Sequence, residues 1–313
     1  MSYKKHFFCL VIIIASLIVI YAGSMVVSID FKAKSETFAW LDSKDAQKIT
    51  RIVLKTEYEM FELRKRNDLW LIYHNGNEYP ARQLRLVDFL DILTTRTQWP
   101  VHSSDKLTHE RFGLDDNASR VTIYIDDSAV LDLILGKDDA TGMDTYFLKA
   151  GQDKVHSGDN TIKAYMTNAV SGWYNFRIFP ESETGVLDSG FVQRIYVYRG
   201  NETQVFTRNN YGWDVSGISV VNPDTNKIEE YIRTIITTEG DGFVSDVSYN
   251  DPLFNQNRIE IELGNGRRVI VRISEPNTEG RRYAVVSGRD FIYNLPPWAG
   301  ARLLRDASSF EMQ

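Results

Sequence analysis

Hydrophobic and polar positions divide this chain into one unbroken apolar run, followed by two stretches in which the same patterns recur in the same order. Residues 7–27 form the run, 21 residues without a charge. A helix of that length spans about 31 Å, which matches the hydrocarbon layer of a bilayer. A cleavable signal peptide has a shorter apolar region of roughly 7–15 residues. Ala22, Gly23 and Ser24 offer small side chains for cleavage, but the run continues past them to Val27. The expectation is an uncleaved anchor that crosses the membrane once. Cys9 lies near the start of the run, not behind a small-residue cleavage position, so lipoprotein processing is not expected. Lys4 and Lys5 precede the run, whereas its other flank is mixed (Asp30, Lys32, Lys34, Glu36). By the positive-inside rule the N-terminus is cytoplasmic and the rest of the chain lies outside, at the inner membrane with a periplasmic or extracytoplasmic body.

Beyond the run, short alternating stretches predict antiparallel strands. The first copy opens with Ile52-Val53-Leu54, Phe61-Glu62-Leu63 and Leu69-Trp70-Leu71-Ile72; the second opens with Ile195-Tyr196-Val197, Val205-Phe206 and Gly212-Trp213-Asp214-Val215. A helix follows in each. Leu86, Phe89, Leu90 and Leu93 fall on one helical face, as do Ile228, Tyr231, Ile232 and Ile235. Asn226 with Glu229 three residues on predicts a capping box for the second helix. Hairpins come next. Val121, Ile123 and Ile125 run to Asp126-Asp127-Ser128 and return through Leu131, Leu133 and Leu135. Ile259, Ile261 and Leu263 run to Gly264-Asn265-Gly266 and return through Val269, Val271 and Ile273, with Asn-Gly read as a tight turn of positive φ. Tyr146-Phe147-Leu148 and Tyr283-Ala284-Val285 begin the last strand pair, which Val155 and Ile292 continue.

These patterns predict an α+β protein: an N-terminal transmembrane helix, then two tandem repeats, each an antiparallel sheet of about six or seven strands with a packed helix. The expected divisions are 1–29 for the cytoplasmic tip and anchor, and 30–47 for a juxtamembrane linker. Repeat 1 covers 48–166, an inter-repeat connection covers 167–190, and repeat 2 covers 191–313. Trp70 and Trp213 are expected in equivalent places, as are Leu90 and Ile232, Leu133 and Val271, and Tyr146 and Tyr283.

Composition adds that the chain is globular in character, with 43% hydrophobic and 25% charged residues. Its net charge is −6 and no basic block stands out, so nucleic acid is not expected as a partner. Gly264-Asn265-Gly266 and Gly240-Asp241-Gly242 lack the Walker lysine and the dinucleotide spacing, so nucleotide is not expected either. One cysteine excludes an internal disulfide framework. The histidines His6, His74, His102, His109 and His156 show no zinc spacing, and no metal or cofactor is expected. His102-Ser103-Ser104-Asp105 contains the residue types of a hydrolytic triad, but sequence neighbours do not form triad geometry, and no catalytic residue is assigned. Two sets of residues remain as binding candidates. Arg267, Arg268, Arg272, Arg281 and Arg282, with Arg289, read either as an anion-attracting face or as outward residues guarding a sheet edge. Trp99, Trp173, Tyr174 and Trp298 are the aromatics that a glycan-binding surface would expose.

The tryptophan strand, the loop Arg111-Phe112-Gly113-Leu114, and Leu135-Gly136-Lys137 followed by Tyr146-Phe147-Leu148 together resemble a bacterial family, domain-of-unknown-function family 4340. The resemblance runs from the anchor to about residue 306. It implies a single-anchor extracytoplasmic partner of ABC transporters of the gliding-motility type, meeting the transporter permease or its exported domain, and it brings no catalytic residues. The expected function is therefore a non-enzymatic accessory subunit. The competing readings are an envelope or motility-linked scaffold, and an exported hydrolase or glycan-binding module.

Overall fold

The alternating stretches form strands, and pairing between them builds two antiparallel sheets. The structure, a computed structural model, describes residues 14–18, 21, 34–66, 69–167, 170–179, 189–217 and 223–311. The expected anchor therefore falls largely outside the described residues, although 14–18 and Tyr21 are helical and exposed. Among the described residues no helix is long and apolar enough to cross a membrane. The chain divides into two units between Trp173 and Tyr174.

In the first unit the strands are β1 (Ser35–Phe38), β2 (Arg51–Lys55), β3 (Met60–Arg66), β4 (Leu69–His74), β5 (Asn77–Pro80), β6 (Thr97–Ser103), β7 (Ser119–Ile125), β8 (Ser128–Asp138), β9 (Asp144–Lys149) and β10 (Val155–Asp159). They pair in the order β1-β6-β10-β9-β8-β7-β2-β3-β4-β5. The helices are α1 (Ser43–Ala46), α2 (Gln83–Thr94) and α3 (Thr161–Thr167). Leu86, Phe89 and Leu93 of α2 are buried and Leu90 is half-buried, as their spacing requires. Ile52, Leu63, Ile72, Ile123 and Leu133, one from each of five adjacent strands, are fully buried. Each such side chain contributes about 1.5–3 kcal/mol by leaving water.

The second unit contains β11 (Val192–Arg199), β12 (Glu202–Asn209), β13 (Gly212–Ser216), β14 (Gly242–Val244), β15 (Asn257–Leu263), β16 (Arg268–Ile273), β17 (Arg282–Val286) and β18 (Ile292–Leu295). Their order is β13-β12-β11-β15-β16-β17-β18-β14. Its helices are α4 (Thr225–Thr237) and α5 (Pro297–Leu303). Ile228, Tyr231, Ile232 and Ile235 of α4 are buried in one cluster with Ile195, Phe206, Ile261 and Val271.

Read from the tryptophan strands, the two sheets have one topology: β4-β3-β2-β7-β8-β9-β10-β6 matches β13-β12-β11-β15-β16-β17-β18-β14 strand for strand. Registers match as well. Trp70 lies opposite Lys65 and Trp213 opposite Arg208, while Tyr146 faces Ser157 and Tyr283 faces Asn294. The four expected pairs thus occupy equivalent strands or helical turns. The sheets are larger than expected, with ten and eight described strands, because β1, β5, β6 and β14 carry too few alternating positions to show a period.

Four expectations need correction. Residues 34–47 are not merely a linker: β1 pairs with β6, and Trp40 and Leu41 are buried. The connection 167–190 is likewise divided, with Trp173 in the first unit's core and residues from Tyr174 onward in the second unit. Asn175–Phe179 begins the second unit as β1 begins the first: Gly240 N–H donates to the Phe176 carbonyl and Ile178 N–H to that of Thr238. Phe38-Ala39-Trp40-Leu41 and Phe176-Arg177-Ile178-Phe179 even share one burial pattern, two half-buried positions and then two buried ones. Third, α4 is capped by Asp224, whose carboxylate accepts from the N–H groups of Asn226 and Lys227. A cap at Asn226 would start the helix two residues later, about half a turn. Fourth, only Gly266 of the Asn265-Gly266 pair has positive φ, within a four-residue loop; the tight turn with two positive φ values is Asn75-Gly76, between β4 and β5.

Candidate functional site

Helix α4 ends at Thr237; its last turn carries Thr234 and Thr237, and Thr238 is its C-cap. Each hydroxyl donates to the carbonyl four residues back, at 2.9, 2.7 and 2.6 Å. Their oxygens keep lone pairs free to accept. Glu239 follows the helix end and receives Arg177 Nε at 3.3 Å. Helix α5 starts on Pro296-Pro297, whose fixed φ suits a first turn. Ala299, Gly300 and Leu303 are its buried side, and a Cβ at Gly300 would fall 2.6 Å from Arg282 Cδ, so a side chain there would have to displace the arginine. That packing leaves Trp298 and Arg302, one turn apart, on the solvent side, with the guanidinium 5.0 Å from the indole ring centre. Together with Thr234, Thr237, Thr238 and Glu239 they line a shallow groove of about 270 Å³.

Trp298 is 53% exposed, whereas Trp40, Trp70, Trp99, Trp173 and Trp213 are all 9% exposed or less. Two expected exposed aromatics are therefore core residues. Trp99 donates its indole N–H to the Phe38 carbonyl at 3.1 Å and packs among Trp40, Phe147 and Phe38. Trp173 is fully buried against Phe61, Phe89 and Tyr165 and donates to the Tyr165 carbonyl. Tyr174 is half-buried on Phe176 and Phe243. Apolar contact with strands distant in sequence decides these burials, and a local pattern does not show it.

The five arginines do not form one face. Arg268 and Arg272 alternate with the buried Val269, Val271 and Ile273 and so lie on the other side of β16. Arg268 reaches Glu262 at 3.2 Å, and Arg272 lies over the Tyr249 ring and donates to its carbonyl. Arg282 shares its strand side with the buried Ala284 and Val286, and its stem runs beneath α5. Burial lowers its pKa, with Glu275 opposing. Arg281 is bound by both carboxylate oxygens of Asp241, Arg267 sits exposed in the loop before β16, and Arg289 contacts the Tyr293 hydroxyl. Carboxylates and ring faces thus occupy most of this basic set.

Elsewhere, the triad residue types of 102–105 do not converge. Asp105 caps the turn at Leu107, and Ser103 accepts from Asp105 N–H. His102 instead approaches Ser157 at 2.9 Å, but Ser157 is 2% exposed, which withholds its hydroxyl from a substrate. His156 is buried among Phe38 and Trp40, and burial lowers its pKa, with Glu36 opposing. Among the described residues no group of three or more His, Cys, Asp or Glu side chains is placed to hold a metal ion.

The motifs behind the family resemblance meet in space. Gly113 has φ +69° and its Cβ would lie 3.0 Å from Lys137 N, while a Cβ on Gly136 would fall well inside 3.0 Å of the Phe112 carbonyl oxygen. The loop therefore rests directly on the end of β8. The model of the family described as "Domain of unknown function (DUF4340)" matches residues 70–258, more than half of the chain, and the chain belongs to that family. No curated protein and no solved structure matches it.

Proposed function

For a chain of this family, we propose a non-enzymatic role: a membrane-anchored, extracytoplasmic accessory subunit that binds a partner, here an ABC transporter of the gliding-motility type. The observation that carries the reading is the pair of like-ordered sheets behind an uncharged 21-residue run with a basic flank. Each of the two tandem α+β units offers antiparallel sheet edges, which are common binding surfaces. The tether is short. Seven residues separate Val27 from Ser35, which even fully extended reach no more than about 25 Å. An anchored first unit therefore stays near the membrane surface, where its effective concentration for an integral partner is high.

The test is purification of the full chain from detergent after crosslinking, with mass spectrometry of what accompanies it. A permease and its nucleotide-binding subunit are the expected companions. Recovery of intact, folded chain with no transporter subunit would sink the assignment. A reporter fused after residue 313 checks the orientation separately and should behave as exported.

A further inference from the structure

We infer that the α4–α5 groove of the second unit binds a saccharide carrying a carboxylate, with Trp298 as its stacking platform and Arg302 as its anion contact. This goes beyond partner binding and does not depend on the transporter assignment. Three features of the groove converge on that chemistry. Trp298 presents an exposed indole, 53% accessible, on a helix whose other side is anchored in the core. An indole face takes the apolar C–H face of a sugar ring, and its N–H remains a donor. Arg302 has the Trp298 ring as its neighbour and no acidic partner among the described residues. Seven other arginines of this unit have a carboxylate within 4 Å: Arg177 with Glu239, Arg199 with Asp306, Arg208 with Glu229, Arg258 with Glu260, Arg268 with Glu262, Arg281 with Asp241 and Arg282 with Glu275. A guanidinium left over beside an exposed ring is suited to forked recognition of a carboxylate. Third, Thr234 and Thr237 have spent their hydrogens on helix carbonyls and so present acceptors for sugar hydroxyls. Glu239 adds carboxylate acceptors, with Arg177 offsetting its charge. A groove of about 270 Å³ suits one sugar unit.

The five other tryptophans are buried, so indole fluorescence accessible to solvent reports on Trp298. The full chain, in a detergent without a sugar headgroup, is titrated with methyl galacturonoside, methyl galactoside and acetate. Binding is followed by emission and by protection from acrylamide quenching, with calorimetry as a second readout. The expected result is saturable binding of the uronate, at least about tenfold tighter than the neutral sugar, the ratio that one charge-assisted hydrogen bond supplies. Arg302→Gln should bring the two sugars to equal affinity without altering thermal melting. Trp298→Ala should remove both. The inference is overturned if no saccharide saturates the signal at tens of millimolar, if acetate protects as well as the uronate, or if Arg302→Gln keeps the preference. It is equally overturned if Trp298 responds to a purified transporter subunit and to no sugar.

Discussion

Gly136 shows how one missing side chain holds an element in place. Its backbone lies so close to the Phe112 carbonyl that a methyl group has no room, and the obstacle is backbone, which cannot swing aside. Gly136→Ala should therefore cost about 2 kcal/mol or more, read as a lowered melting temperature. An unchanged melt would mean that the loop 111–114 does not rest on β8. Arg85 poses the opposite case. Two of its nitrogens are buried without a hydrogen-bond partner, and its guanidinium lies over the rings of Tyr165 and Trp173. Burial lowers its pKa. Since a buried charge without an anion is poorly compensated, Arg85→Met should range from neutral to about 1 kcal/mol stabilising. Clear destabilisation in chemical denaturation would show that the ring contacts outweigh the desolvation. His156 adds a pH dependence. Its folded pKa is depressed below 6.5, so the neutral ring is the form the fold prefers. Its contribution is present above pH 6.5 and is lost as pH falls through the folded value. Glu36 on β1 opposes the shift, whereas Lys154 and His102 reinforce it. Melting curves across that window should show a loss that His156→Phe reduces; equal slopes in both proteins would remove His156 as the cause.

At the scale of elements, what was legible in the sequence follows the length of each pattern. Strands β7, β8, β15 and β16 alternate over five or more positions, and α2 and α4 repeat over three turns, so the order of residues alone reveals both kinds of element. The strand β1 has four residues and a burial pattern split between two half-buried and two exposed positions, so period two brings no buried face to mark it. A similar brevity hides Asn175–Phe179. The aromatic and aliphatic residues of both segments read as linker because the backbone that pairs with them, β6 and residues 238–240, lies some 60 residues further on. Sidedness is hidden for another reason. Arg272 and Arg282 point to opposite faces because strand parity separates them, and the Arg282 stem packs against the bare Gly300 of α5. Of the candidate groove, Trp298 was legible as an aromatic behind two prolines, but Arg302 was not. The available signal was its four-residue spacing from Trp298 on a short helix.

At the scale of the whole chain, the corrected boundaries change what should fold alone. A fragment of residues 48–166, cut where the alternation starts and stops, omits β1, Trp40, Leu41 and Trp173. Those residues are not trim. Trp40 is 5% exposed and sits within 5.1–6.0 Å of the rings of Trp99, Phe147 and His156, while Trp173 is fully buried between Phe61 and Phe89. Removing a buried tryptophan or large aromatic leaves a cavity worth about 3–5 kcal/mol, and the shorter fragment loses two at once. That loss is comparable to the roughly 5–15 kcal/mol by which whole domains are stable. Residues 34–173 should therefore give a cooperative thermal transition and dispersed amide resonances, whereas 48–166 should be unfolded or collapsed without fixed packing. The corresponding pair in the second unit is 174–311 against 191–311, since the shorter piece lacks Ile178 and Phe179, both buried at 1% exposure or less. If the shorter fragments melt as cooperatively as the longer ones, each unit's core closes without its first strand, and the boundary belongs where the alternation places it. If only the longer fragments fold, the strand that follows the uncharged run is structural. Any pull on that run would then act directly on the first unit's sheet at the β1–β6 edge, where backbone hydrogen bonds and the Phe38, Trp40 and Trp99 rings resist it.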